Sequence, residues 1–391
     1  MRIWYILLMY SGILAVSAEV FSLLTSGVVI GGVGIFFAVK EKAKCLVYEC
    51  CEDVYLKHNF GRMLKQLREE VFGQHLVEVD IWNSIVAHWK NSDPEKPLVL
   101  AFHGPTGCGK NHVSRIIADN LYTKGAASSF VHTFIATVHF PDKNKVSQYQ
   151  KTLREKILEA GKKCGRSIFI LDEVDKMPER LLETVKPFLD YYDKIDGIDF
   201  RKSIFIFLSN RGGDEIANMA LSQYMNGKPR EGLVLHDFER TLMHKAFVEE
   251  GGLKHTNIIK NQLIDHYVPF LPLERRHVVL CVHQFLRTRF KDVAEKLISS
   301  SNFMNEVLNS LQYFPQDSKV FSSSGCKRVA AKTQLEVFKL QKPSQTAGNH
   351  ITEAASVEVR EDDAEEEETP EVEETVELEE NHDSQKENDD V

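Results

Sequence analysis

The chain has 391 residues and a formal net charge of −9, but the charge is unevenly placed. Residues 353–391 hold nineteen Asp/Glu against only Arg360 and Lys386, so this tail carries about −17 and the first 352 residues about +8. The acidic balance is therefore a property of a tail with too little apolar surface to order itself, not of the folded body, and no nucleic-acid partner is expected.

At the amino terminus, Arg2, the apolar run from Ile3 to Val16 and the small-residue pattern Val16-Ser17-Ala18 have the composition of a secretory signal peptide, residues 1–18. A second apolar segment runs from Val20 to Val39 without a charge, contains Gly27, Gly31, Gly32 and Gly34, and is closed by Lys40, Lys42 and Lys44. Its length suits a bilayer span and its glycines suit a monotopic segment within one leaflet, so residues 19–40 are expected to associate with a membrane in one of these two ways. At the other end the chain reads Asn-Asp-Asp-Val, which is no KDEL-type retrieval signal, so retention would rest on the membrane segment. The acidic tail, residues 341–391, is expected to be disordered.

The body between these ends is long enough for one large and one small domain. Leu98 to His103 is an apolar strand pattern that runs into Gly104-Pro105-Thr106-Gly107-Cys108-Gly109-Lys110 and then into an amphipathic stretch that begins with Asn111 and His112. This is a phosphate-binding loop in context. Its glycines let successive backbone N–H groups turn inward, Lys110 adds a point charge, and the following helix presents its positive end. A nucleoside triphosphate, ATP with Mg²⁺, is the expected ligand. The position after the lysine, where a Ser or Thr hydroxyl ordinarily reaches the metal, holds Asn111, whose amide carbonyl would face it directly or through water.

Further β-branched, apolar runs at 131–138, 167–171 and 203–208 read as buried parallel strands, separated by helical patterns at 111–122, 145–160 and 179–192. Strands alternating with helices imply a doubly wound α/β layer, here residues 45–258. From about 259 the pattern reads as helical, through LIDHYVPFL and RRHVVLCVHQFLRTRF to the run 292–312, which predicts a smaller helical lid over 259–340.

The strand at 167–171 ends in Asp172-Glu173, the composition of a Walker B element: Asp172 would hold Mg²⁺ and Glu173 would polarise the attacking water. The next strand ends in Ser209-Asn210, which places Asn210 as a sensor of the γ-phosphate. Such spacing suits an ATPase, whereas a P-loop kinase would need an acceptor site besides.

The stretches Phe72-Gly73-Gln74-His75-Leu76, HGPTGCGKN, FVHTFIATVHFP, SIFILDEVDKM, KPFLDYYD, SIFIFLSN, HYVPFLPLERRHV and Gly325-Cys326-Lys327 resemble, in order and spacing, the torsins, AAA+ ATPases of the endoplasmic reticulum lumen. The resemblance covers about residues 45–335. It implies an AAA+ P-loop fold with a doubly wound parallel sheet and a carboxy-terminal helical lid, located in the lumen of the endoplasmic reticulum and nuclear envelope. Asn111 and Gly-Cys-Lys at 325–327 are family marks, the second standing where a sensor 2 arginine is usual, so Lys327 would contact bound nucleotide. The long acidic tail is not part of the family's usual pattern.

Seven cysteines behind a signal peptide are expected to be oxidised where geometry permits. The resemblance implies one pair, Cys281 with Cys326, joining the lid to the sensor 2 motif, and a second, Cys45 with Cys164. The spacing of Cys45, Cys50 and Cys51 also admits zinc, although no second Cys/His dyad stands nearby. Cys108, within the P-loop, reads either as a thiol activated by the cationic loop or as a small neutral filler.

AAA+ rings complete each site with an arginine from a neighbour. In the Clp-type context Pro-x-Phe-Leu-Asn-Arg that position falls on Leu273, and Arg275 and Arg276 read as surface or ion-pair residues. The torsin resemblance implies that a membrane-anchored activator with an AAA-like luminal domain supplies the arginine, within a homo- or hetero-oligomeric ring or filament that remodels protein or membrane assemblies. No aromatic-Gly pore loop precedes the Walker B strand; Tyr149 is the nearest aromatic. A reading of another class is a nucleotide-locked scaffold with little turnover.

Overall fold

A computed structural model of the chain describes residue 45 and residues 48–341; the signal peptide, the apolar segment and the acidic tail expected above lie outside the described residues. Helix α1 (Phe60–Glu70) opens on Asn59, whose side chain accepts the Arg62 N–H at 2.8 Å. A π-helical turn (Val77–Ile81) continues into α2 (Trp82–Lys90) and brings the chain to β1 (Leu98–His103). Then follow α3 (Lys110–Leu121), β2 (Val131–Ile135), the single turn α4 (Ala136–His139), α5 (Val146–Lys163), β3 (Ile168–Asp172) and β4 (Ile204–Ser209). Helices α6 (Gly213–Met225), α7 (Leu235–Val248) and α8 (Asn257–Lys260) lead to β5 (His266–Pro269).

The five strands form one parallel sheet in the order β2-β3-β4-β1-β5. Its register aligns His103 with Ser209 and with Pro269, and Ile135 with Asp172, so all five strands end at a common edge. Strand parity builds two cores. Leu98, Leu100 and Phe102 of β1 join Ile204, Ile206 and Leu208 on one face, against Met63 and Leu67 of α1 and Val113, Ile116 and Ile117 of α3. Val99 and Ala101 turn to the other face with Phe169, Phe205 and Phe207, under Leu153 and Ile157 of α5 and Leu242 of α7. The Phe169 and Phe205 rings stack at 4.6 Å. Burial on both faces explains why these strands are apolar throughout rather than alternating.

Beyond the sheet, α9 (Arg275–Arg289), α10 (Ala294–Ile298), α11 (Ser301–Asn309), the β6–β7 hairpin (Tyr313–Phe314 and Phe321–Ser322) and α12 (Val329–Gln341) form the helical lid. Val278, Val282 and Leu286 of α9 extend the first core, so the lid is anchored on the same apolar mass as α1 and α3.

Four expectations change. His266–Pro269 is the fifth strand and not the start of a helix, so the α/β layer runs past residue 259: Tyr267 and Val268 are buried beside β1, and Asp265 accepts the Val99 N–H at 2.8 Å. The run 179–192 forms two 3₁₀ turns (Leu181–Thr184 and Lys186–Leu189), because Pro187 lacks the N–H that a continuous helix needs there. The strand expected over 131–138 stops at Ile135, where α4 turns the chain.

Finally, the disulfide from Cys164 goes to Cys51, with Cα atoms 5.2 Å apart, while Cys45 closes a short loop with Cys50. The expected Cys45–Cys164 pair is therefore corrected, because Cys51 stands within bridging distance of the end of α5 and Cys45 is already bonded. Cys281 and Cys326 are bonded as the resemblance implied. Peptide mapping without reductant is expected to return Cys51 linked to Cys164; recovery of Cys45 linked to Cys164 would contradict this pairing. Since the bridge closes a 113-residue separation, Cys164→Ala is expected to lower unfolding free energy by about 2–4 kcal/mol in denaturant titration.

Candidate functional site

The common edge of the sheet gathers the groups that the sequence scatters over more than a hundred residues. From the end of β1 the chain turns through Gly104 to Gly109 into α3, whose first turn carries Lys110, Asn111 and His112. Gly109 caps α3 with φ 106°, a left-handed value that favours glycine. Gly107 is required for a second reason, because a Cβ there would lie 1.9 Å from the Ser324 carbonyl oxygen. The lid turn Ser324–Gly325 thus rests directly on the crest of the loop, and the Cys326 N–H donates to the Gly107 carbonyl at 3.2 Å. The Cys281–Cys326 bond fastens that turn to α9.

Lys110 is buried, and its ammonium donates to the carbonyls of Gly104 (2.7 Å) and Pro105 (3.0 Å) and to Asn210 Oδ1 (3.0 Å). Burial holds its pKa below the ordinary lysine value, opposed by the charges of Asp175 and Asp172. It has no salt bridge among the described residues, so a cation of reduced solvation waits beside an open cavity. Asn111 donates from Nδ2 to Asp172 Oδ2 at 2.5 Å, which sets the two expected metal-facing side chains side by side. Asn210 is fixed from two directions, by Lys110 and through its own N–H, which donates to Asp175 Oδ1 at 3.1 Å.

Glu173 follows β3 with φ 56°, an unusual value for a residue with a side chain. One carboxylate oxygen accepts from Thr137 Oγ1 at 2.5 Å and the other pairs with Lys176. The Lys176 hydrogen bond and then the Thr137 hydroxyl hold the carboxyl below its usual range, so it is ionised at neutral pH. Thr137 belongs to α4, the turn that ends β2, so the neighbouring strand positions the carboxylate.

These groups surround a cavity of about 640 Å³, within the range of small-molecule sites. Thr106, Gly107, Cys108, Gly109, Lys110, Asn111 and His112 form one wall; Asp172, Glu173, Lys176 and Asn210 form another. Lys327, Cys326, Cys281, Gln284 and Leu273 close it from the lid side. Gly104 and Pro105 stand behind the wall and reach the site through Lys110. Among the described residues, no arginine lines the cavity. Leu273 does, whereas Arg275 donates to Asn309 Oδ1 at 3.0 Å and lies over the Tyr313 ring, and Arg276 pairs with Glu274 at 2.8 Å. The two arginines are thus engaged in the lid, as read from the sequence.

Cys108 settles on the filler side of its two readings: it is 3 % exposed, and burial pushes its thiol up to about 11. Residues with no local sequence signal complete the site. Thr137 and Lys176 become recognisable only when the Glu173 carboxylate is in place. His103, at the end of β1, is buried and kept neutral by desolvation, with its pKa lowered to about 4, and its Nδ1 lies 3.0 Å from the Arg211 carbonyl oxygen. Gln74 lies behind the P-loop, 34 residues from Cys108 in sequence.

A parallel sheet with the P-loop on β1, the acidic pair on β3 and β4 between them defines an AAA+ α/β nucleotide-binding fold. The Torsin family model matches residues 45–171, and a model described as Torsin-1A, C-terminal domain, matches residues 273–336. A Torsin-like protein of Caenorhabditis elegans is 50% identical over 347 residues, spanning 87% of this chain and 97% of its own length. A Torsin-like protein of Drosophila melanogaster is 35% identical over 316 residues, spanning 81% of this chain and 92% of its own. The chain belongs to the torsin family. Among solved structures, the S. cerevisiae Hsp104-ADP complex aligns over 72% of this chain and 47% of that one, with 18% identity and a TM-score of 0.49. Among the described residues no helix is long and apolar enough to cross a membrane.

The Cys108 thiol yields a direct check, because thiolate is the form that reacts. At neutral pH iodoacetamide is expected to leave Cys108 unmodified in the folded protein and to label it after denaturation; rapid labelling of the native protein would contradict its burial.

Proposed function

We propose that the chain is a torsin-type ATPase that binds ATP with Mg²⁺ and hydrolyses it when a partner completes the site. The observation that carries this reading is a cavity holding the phosphate loop, Asp172, Glu173 and Asn210 together, with no arginine among the described residues of its lining. The residues present fit the metal: the Asn111 amide and the Asp172 carboxylate are adjacent, and Mg²⁺ characteristically takes one or two protein oxygens and completes its shell with phosphate and water. The metal would neutralise phosphate charge. Lys110 would exchange its two backbone carbonyls for phosphate oxygens, Asn210 and Lys327 would contact the γ-phosphate, and Glu173 would accept a proton from the attacking water.

The missing arginine motivates an activator. Transition-state charge on the γ-phosphoryl group needs a cation that the Leu273 position does not supply, and a membrane-anchored luminal partner with an AAA-like domain would bring it in trans. Family membership and the amino-terminal signal composition support a luminal location in the endoplasmic reticulum and nuclear envelope, with membrane association through residues 19–40. The oxidised cysteines accord with that compartment. There the ATPase would work in a ring or filament that remodels protein or membrane assemblies.

A nucleotide-locked scaffold is the second reading, favoured by one feature: both oxygens of Glu173 are occupied by Thr137 and Lys176. Glu173→Gln separates the two. The ATPase reading expects the variant to retain bound ATP while activator-stimulated phosphate release falls by about 10²–10⁴, with loss of cellular function. Full cellular function in a variant that cannot hydrolyse ATP would favour the scaffold.

A further inference from the structure

Gln74 lies in the segment between α1 and the π-helical turn and is 3 % exposed. Its carbonyl oxygen and both of its N–H donors are engaged. Oε1 accepts the Leu271 N–H at 2.8 Å, and the two Nε2 hydrogens go to the carbonyls of Leu271 (2.8 Å) and Cys108 (3.1 Å). The orientation is self-consistent, since a flipped amide would set its oxygen against two carbonyl oxygens. The segment around it is anchored as well: the Gly73 carbonyl accepts from Arg230 at 2.7 Å, and His75 Nε2 lies 2.9 Å from the Leu233 carbonyl oxygen. Gln74 is thus a fixed amide, held from the exit of β5, with one donor extended to the P-loop.

A trans peptide is planar, so its C=O and the next N–H point in opposite directions. Holding the Cys108 carbonyl toward Gln74 therefore aims the Gly109 N–H the other way, toward the cavity that Gly109 lines. That N–H has no hydrogen-bond partner among the described residues. The glycine that gives the loop its conformational freedom also leaves the Cys108–Gly109 peptide free to rotate, and a rotated peptide would present a carbonyl oxygen to an anion.

We propose that Gln74 is a positioning residue for the phosphate loop, locking the Cys108–Gly109 peptide so that the Gly109 N–H faces bound phosphate. The inference deepens the nucleotide reading and rests on it. Gln74 touches no ligand; it acts through the loop backbone. Its loss should weaken whatever binds through the phosphates and spare what binds through the base.

The test compares wild type, Gln74→Met and Gln74→Glu for binding of ATP, ADP, inorganic pyrophosphate and adenosine, with melting temperature measured in the absence of ligand. Gln74→Met keeps the packing and removes the donors and the amide acceptor; Gln74→Glu keeps the shape and the acceptor for the Leu271 N–H and sets an oxygen against the Cys108 carbonyl. The expected result is a loss of about tenfold in affinity for ATP, ADP and pyrophosphate, the scale of one preorganising hydrogen bond. Adenosine affinity should stay near wild type; ligand-free melting should fall, because both variants leave buried Leu271 and Cys108 backbone groups unpaired, so binding is compared at a temperature where each variant is folded. ATP affinity unchanged in either folded variant overturns the proposal. A loss shared equally by adenosine also overturns it, because that pattern marks general damage. A wild-type protein that binds neither ATP nor pyrophosphate would remove the nucleotide reading itself, and this inference with it.

Discussion

The parallel register of one five-stranded sheet is the constraint on which the site depends. Because β1, β3 and β4 run in the same direction and end level with one another, His103, Asp172 and Ser209 lie along one edge, although they are spread over more than a hundred residues of sequence. The P-loop, the acidic pair and Asn210 follow those ends and so meet around one cavity. With both faces buried, the register is held by side-chain fit, since slipping a strand by one residue would exchange the cores into which Val99 and Leu100 pack. The hydrophobic pattern that stabilises the sheet thereby sets the distances among the polar groups at its edge.

The second constraint is steric. Where the lid turn meets the P-loop, neither Gly107 nor Gly325 has space for a Cβ, so the two backbones approach more closely than side chains would allow. The Cys281–Cys326 bond ties this contact to α9, and α9 is rooted in the same core as α3. Movement of the lid and the conformation of the phosphate loop are mechanically connected at that point. Glu173 shows a comparable coupling on the opposite wall, where its carboxylate is held by Thr137 from α4 and by Lys176. Residues on both walls of the cavity are thus held by side chains and backbone of other elements.

What could be read from the sequence followed the range of the physics involved. The P-loop and the Asp172-Glu173 pair are local patterns, each specified by a strand end and a few following residues, and both stand where expected. The strands expected at 167–171 and 203–208 stand within one residue of those bounds, at 168–172 and 204–209, and the one at 98–103 stands as expected, because their buried apolar runs are unambiguous. The short run at His266–Pro269 was harder, because four residues carry little periodicity and pairing with β1 decides their state. In the same way Cys51 rather than Cys45 reaches Cys164 through tertiary proximity alone. Gln74, Thr137 and Lys176 had no legible role in advance, since each matters only through a partner far away or on another element.

The central proposal is that the described residues assemble a nucleotide site in which every expected part but an arginine is present. The most direct measurement is phosphate release by the purified chain, alone and with the luminal domain of a membrane-anchored AAA-like activator. Release near zero alone, rising on addition and failing when the activator's arginine is replaced, is the predicted result. Robust release by the chain alone would contradict it, because some residue of this chain would then be supplying the missing charge.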